Sequence, residues 1–272
     1  MNKELKYAIL IDADNISEKY IKIILDEAAK NGIATYKRIY GDWTNPQLTS
    51  WKRVLLDNSI IPIQQYGYTT GKSSTDSAMI IDAMDILYSG TVDGFCLASS
   101  DSDFTRLAAR LRESGMQVIG MGESKTPKPF ISACNQFKYL DILLSNGADS
   151  EKEIEPSPDS EKAPASSKKE KASPTKRTRQ KSKEPEPQTN LKMIKKAILT
   201  LVEECSDDDG WIFSAELGNQ LAKRFPDFDV RNFGFSKFTP FINSLGLFDV
   251  KRNQASSNSN VQLVYFRIKE RK

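Results

Sequence analysis

The 272-residue sequence contains no histidine. That absence removes Ser-His-Asp and Cys-His catalysis, histidine general bases and histidine zinc ligation together. Cysteine is nearly as scarce. Cys96, Cys134 and Cys205 stand in apolar or helical contexts, none in a metal-ligand spacing, and read as small core residues of a reduced, cytosolic protein. No apolar run reaches the length of a membrane span, and the start MNKELKYAILID is too polar, and too soon interrupted by Asp12, for a signal peptide. A cytoplasmic protein without membrane contact is the expectation. Net charge is small at +3, so any nucleic-acid contact has to come from local patches. Hard, oxygen-liganded cations such as Mg²⁺ or Mn²⁺ remain open.

Large aliphatic residues are missing from one stretch, Asp149 to Asn190, where Ile154 stands alone among Glu, Lys, Ser and Pro. Too little apolar surface is available there to offset the cost of ordering, so the stretch reads as a disordered, charged linker (149–190). It separates two units, 1–148 and 191–272. In the first, apolar runs at Tyr7–Ile11, Ile33–Tyr40, Ile60–Gln65, Phe95–Ala98 and Gln117–Met121 alternate with amphipathic helical stretches, the clearest over Thr75–Tyr88. That alternation predicts an α/β fold with a mostly parallel sheet flanked by helices. In the second, three amphipathic helices (Met193–Val202, Ser214–Phe225, and Asn232 or Ser236 to Leu245) precede two strands, Leu247–Lys251 and Val261–Ile268. Three helices with a terminal hairpin outline a winged helix, a module for nucleic acid or protein docking. Phe233, Phe235, Phe238 and Phe241 read as its core; Arg231 and Gly234 lack so simple an account.

Acids gather where strands end and helices begin: Asp12 and Asp14 after the first strand, Asp76 in the first turn of the long helix, and Asp101 and Asp103 after Phe95–Ala98. Open α/β sheets bind ligands at that edge. Several carboxylates meeting there would force protonation unless a divalent cation lay between them. With no histidine present, a phosphodiester or phosphate substrate is the economical reading. Asn15 and Ser99 can orient a water or an acid, while Lys72 and Arg106 flank the acids and can hold a nucleic-acid backbone. Arg231 and Lys237 are the RNA-contact candidates of the second unit. Each acid alone is as readily a cap or turn former; Asp82 and Asp85 read as solvated helix positions, and GKSS around Lys72 lacks P-loop spacing.

Three segments resemble the NYN domain, a PIN-like nuclease family: LIDADNIS at 10–17, STDSAMIIDAMDIL at 74–87 and ASSDSDFTRLAARLRESGMQVIGMG at 98–122. The resemblance implies a metal-dependent ribonuclease whose acidic residues fall on Asp12, Asp76, Asp101 and Asp103, with Asn15 beside the first. Asp82 also matches a recurrent position of that family, without an assigned role. The segment DFDVRNFGFSKFTPFINSLGLFDV at 227–250 is similar to the OST-HTH (LOTUS) domain, which implies RNA binding or docking of a protein partner. Together they describe a Mg²⁺- or Mn²⁺-dependent ribonuclease with Asp12, Asp76 and Asp101 as expected metal ligands and Asp103 completing the pocket. A tethered winged helix would raise the local RNA concentration. Two other readings stay open. One is a non-cleaving adaptor that binds RNA or protein. The other is a phosphatase using Asp12 and Asp14, since DADN resembles haloacid-dehalogenase-like enzymes, although Asn15 stands where Thr, Val or Gly is expected.

Overall fold

The structure, a computed structural model, describes residues 4–66, 74–152, 187, 189–254 and 262–269, with backbone alone at 74 and 148–152. Six strands, β1 (Lys6–Asp12), β2 (Ile33–Gly41), β3 (Ile61–Gln64), β4 (Gly94–Ala98), β5 (Gln117–Gly122) and β6 (Gln136–Tyr139), form one parallel sheet in the order β3-β2-β1-β4-β5-β6. The order reverses between β1 and β4. At such a reversal the chain leaves the two neighbouring strands in opposite directions and opens a crevice at their carboxyl ends.

Helices cover both faces, as the unbroken apolar strands require. Side chains alternate across the pleat. Ala8 and Leu10 of β1, with Phe95 and Leu97 of β4, meet Met79, Ala83 and Ile86 of α3 (Ser74–Ser89) and Leu107 and Leu111 of α4 (Thr105–Glu113). Tyr7, Ile9, Ile11, Cys96 and Ala98 face the other way, toward α1 (Ile21–Ala29), α2 (Trp51–Asn58) and Leu140 of α6 (Leu140–Lys152). Asp12 falls by parity on the α3 side. A short α5 (Lys128–Ala133) packs its Phe130 and Ile131 below β5 and β6. Cys96 and Cys134 are buried and unpaired, and burial pushes both thiols up to about 12, as expected of inert core residues.

The second sheet has three antiparallel strands in the order β7 (Ile212–Phe213), β9 (Gln262–Ile268), β8 (Phe248–Gln254). Over it lie α7 (Leu191–Cys205), α8 (Ser214–Arg224) and α9 (Phe238–Ser244), with Ile198, Leu217, Leu221, Phe241 and Phe266 fully buried between them. The phenylalanines form the expected core: Phe233 stacks on Phe241 with centroids 5.3 Å apart, and Phe238 meets Phe266 edge-on. The two-residue strand β7 is too short to leave a periodic signal.

Asn45 caps a short 3-10 turn at Pro46–Leu48, and α2 begins at Trp51. Gly234, at φ +79°, closes another 3-10 turn over Val230–Phe233 and delays α9 to Phe238. Both ends of the expected linker carry described structure. The backbone of α6 runs to Lys152, and Thr189 donates from both its N–H (3.1 Å) and its hydroxyl (2.5 Å) to Asp227. Residues 153–186 lie outside the described residues, as does Lys72.

Candidate active site

β1 ends in Asp12, which is fully buried, and every described donor around it comes from a local turn or from the neighbouring strand end. Ser99 Oγ donates to Oδ2 at 2.7 Å, Asn15 Nδ2 donates to the same oxygen at 2.8 Å, and the Asp14 N–H reaches Oδ1 at 3.1 Å. Burial nevertheless outweighs these bonds and holds the Asp12 carboxyl above its ordinary pKa. Ser99, also fully buried, accepts the Asp101 N–H at 3.0 Å. Its position is tightly set. A Cβ on Gly122, at the end of β5, would lie 2.6 Å from Ser99 O and 2.7 Å from Thr126 Oγ1, so only glycine lets the two strand ends approach.

Asp101 caps the 3-10 turn Ser102–Phe104 by accepting the Asp103 N–H at 2.9 Å. The local role weighed for a lone aspartate is therefore real. The same turn also aims outward. Asp76, Asp101 and Asp103 each offer one oxygen, and these oxygens lie within 4.8 Å of one another. Asp76 is buried, Asp101 half-buried and Asp103 exposed, so the group grades from the crevice to solvent. Ionised carboxylates at that spacing repel by about 3 kcal/mol per pair at an effective dielectric of about 20. Among the described residues, no lysine or arginine pairs with Asp101 or Asp103. A donor set made only of carboxylate oxygens, at a water-accessible edge, fits a hard divalent cation and not a soft metal.

Three of the four expected acids thus come together, but the trio differs from the expected ligand set. Asp12 is not in it, because its oxygens are taken up one layer deeper and Ser99 stands between it and Asp101. Asp14 and Asn15 are exposed at the rim. Arg106 is exposed one turn beyond Asp103, and Lys237 is exposed at the start of α9. Arg231 is placed elsewhere. Its guanidinium donates to Glu27 at 2.6 and 2.8 Å and to Asp229 at 3.0 and 2.7 Å, so the expectation of a free RNA-contacting cation there does not match its position.

Asp82, less than two turns along α3 from Asp76, receives a role that the sequence did not show. It accepts hydrogen bonds from Arg38 and from the Tyr40 hydroxyl, which pins α3 against β2 behind the acid trio. Burial and Asp82 push the Tyr40 hydroxyl upward in pKa, so it stays a donor. Nothing in the spacing of Arg38, Tyr40 and Asp82 announces this: two lie on a strand and one on a helix 42 residues later.

A doubly wound parallel sheet with an acidic crevice at its reversal point defines the class. This chain belongs to the NYN domain family, which it matches over residues 6–141, and residues 189–259 match the OST-HTH/LOTUS domain. NYN domains fall in the PIN-like nuclease superfamily and OST-HTH/LOTUS domains bind RNA, a pairing that suggests RNA-related nuclease function. No curated protein matches the sequence. Among solved structures, a protein of unknown function from Vibrio parahaemolyticus is similar at 19% identity and a TM-score of 0.44, covering 52% of this chain and 96% of its own. Acinetobacter baumannii MurG is similar at 12% identity and a TM-score of 0.33, covering 48% of this chain and 40% of its own. Among the described residues, no helix is long and apolar enough to cross a membrane.

Proposed function

We infer that the chain is a divalent-metal-dependent ribonuclease hydrolysing RNA phosphodiesters in the cytoplasm. The observation that carries this is the Asp76–Asp101–Asp103 group at the sheet's reversal point, three carboxylates within 4.8 Å with no described basic partner for the outer two. Asp76, Asp101 and Asp103 hold Mg²⁺ or Mn²⁺, and Asp12 completes the catalytic set from beneath by fixing Ser99 and Asn15. A bound divalent ion supplies charge neutralisation at a phosphoryl oxygen and a water of lowered pKa. The chain's own residues do the rest. The Asn15 amide is oriented by donating to Asp12, which leaves its Oδ1 free to accept from a ribose hydroxyl at the exposed rim. Arg106 offers an exposed positive charge to the phosphate backbone, and Lys237 offers another from the second unit. Lys72, which lies outside the described residues, keeps the same role in this proposal.

The test is incubation of end-labelled RNA and DNA with the full chain, in Mn²⁺ and in EDTA, beside Asp101→Asn. RNA cleavage that needs the metal and disappears in the variant supports the assignment. Cutting that persists in EDTA overturns it. Firm RNA binding by the wild type without cleavage of any RNA favours the non-cleaving adaptor.

A further inference from the structure

The turn that opens the 3-10 segment of the second unit, Asp227-Phe228-Asp229-Val230-Arg231, carries more buried charge than any other described stretch of that unit. Asp227 is 3% exposed, and the side chains of Asp229 and Arg231 are 12% and 28% exposed. A small winged-helix fold has no internal need for such a cluster. Beyond the bonds within the cluster and those from Thr189, its partners lie in the first unit. Arg231 forms a two-pronged bond to Glu27 of α1, whose side chain is 5% exposed. Lys138 of β6 donates to Asp229 at 2.9 Å, and the Tyr139 hydroxyl donates to Asp227 at 2.9 Å.

Backbone groups join the same seam. The Phe137 N–H, on the outer edge of β6, donates to Pro226 O at 2.7 Å, and Asn146 Nδ2 donates to Arg231 O at 2.8 Å. One outward-facing amide of the sheet's edge strand is thereby paired. Glu27, Lys138, Asp229 and Arg231 each touch an opposite charge, whereas Asp227 is held by neutral donors, the hydroxyls of Tyr139 and Thr189 and the Thr189 N–H. Burial works against ionising Glu27 and Asp229, yet Arg231, with Lys30 for the first and Lys138 for the second, holds both below their ordinary pKa values.

We propose that Asp227, Asp229 and Arg231 form a docking motif that recognises Glu27, Lys138 and Tyr139 of the same chain, and that the two units work as one body rather than as a nuclease with a loosely tethered module. Ion pairs suit this task better than apolar contact would. A paired charge tolerates only one register, and removal of one member leaves the other buried and uncompensated. If the ribonuclease reading above holds, RNA bound by the second unit meets the acid group at a constant offset. The docking itself does not depend on that reading.

Hydrogen exchange on the full chain tests the proposal without any RNA or metal. In the wild type, the Phe137 amide and the 226–232 segment are expected to be protected. Glu27→Gln with Lys138→Met should speed exchange in 226–232 by about tenfold or more, although both changes lie in the other unit. Arg231→Met should do the same to the Phe137 amide, while α7 and β4 keep wild-type protection. If Arg231→Met also deprotects α7, the second unit has unfolded and the Glu27/Lys138 variant decides alone. A wild-type Phe137 amide exchanging as fast as an open edge strand overturns the proposal. So does unchanged protection of 226–232 in the Glu27/Lys138 variant.

Discussion

Ser99 Oγ donates to Asp12 Oδ2 at 2.7 Å and, in the same place, accepts the N–H of Asp101 at 3.0 Å. One hydroxyl thus links the ends of β1 and β4 across the reversal of the sheet. Its removal takes one of two donors from the buried Asp12 Oδ2 and leaves the part-buried Asp101 amide without its acceptor. Ser99→Ala is expected to cost about 1–3 kcal/mol of stability, read from urea unfolding. It should also lower RNA cleavage by displacing the Asp101 turn. A variant with wild-type stability would show that water replaces the hydroxyl and that the link is dispensable.

Asp12 lies on the destabilising side of its own titration. Its folded pKa is raised by burial, so whatever the protonated acid contributes is present below the unfolded pKa and is lost as pH rises through the folded one. Asp12→Asn keeps the shape and removes the charge. In EDTA, the stability of Asp12→Asn relative to wild type should grow as pH rises through the acid range toward neutrality. Cleavage should be abolished throughout. Denaturation curves at a series of pH values check the first point, and a difference that stays flat with pH would mean that the carboxylate is relieved by some other group.

The Arg38–Asp82–Tyr40 arrangement makes a separate prediction about how the site is held. Asp82→Ala leaves the buried Tyr40 hydroxyl and a half-buried guanidinium without their acceptor. A loss of about 1–3 kcal/mol is expected, with Tyr40→Phe costing less because no charge is orphaned. Asp76 rides on the same helix, so RNA cleavage should fall along with stability in Asp82→Ala. Unfolding curves for the two variants, compared with their residual activity, measure both effects. Full activity at reduced stability would mean that α3 is positioned by its apolar face alone.

What could be read from residues alone followed from local pattern. The strand ends that carry Asp12 and Asp101 lie at apolar runs bounded by polar turns, and the spacing of Met79, Ala83 and Ile86 marks α3 from one end to the other. The grouping of Asp76, Asp101 and Asp103 was half legible. Elements could be assigned and the edge inferred, but which three oxygens share a point depends on the 3-10 turn at Ser102–Phe104, a matter of one residue's backbone angles. Asp12 stood first among the expected ligands, and its burial beneath Ser99 is a tertiary fact without a one-dimensional trace. Arg231 shows the opposite limit. A charged residue on a short turn reads as solvent-facing, and only the packing of α1 and β6 against that turn reveals where its charge goes.

Metal dependence can be separated from catalysis by measuring the fold itself. If Asp76, Asp101 and Asp103 share an ion, then the folded chain binds it and the unfolded chain does not, so Mn²⁺ must stabilise the protein by mass action. At a hundredfold excess over the dissociation constant the gain is about 2.7 kcal/mol. For the size of the first unit that corresponds to a rise in Tm of roughly 5–10 °C. EDTA should return the melting curve to its starting point. Asp101→Asn and Asp103→Asn should melt near the wild-type apo temperature and respond weakly to the ion, since each removes one oxygen donor and one like charge. An equal Mn²⁺ shift in wild type and Asp101→Asn would place the ion elsewhere, and the repulsion among the three carboxylates would then have to be relieved by a shared proton.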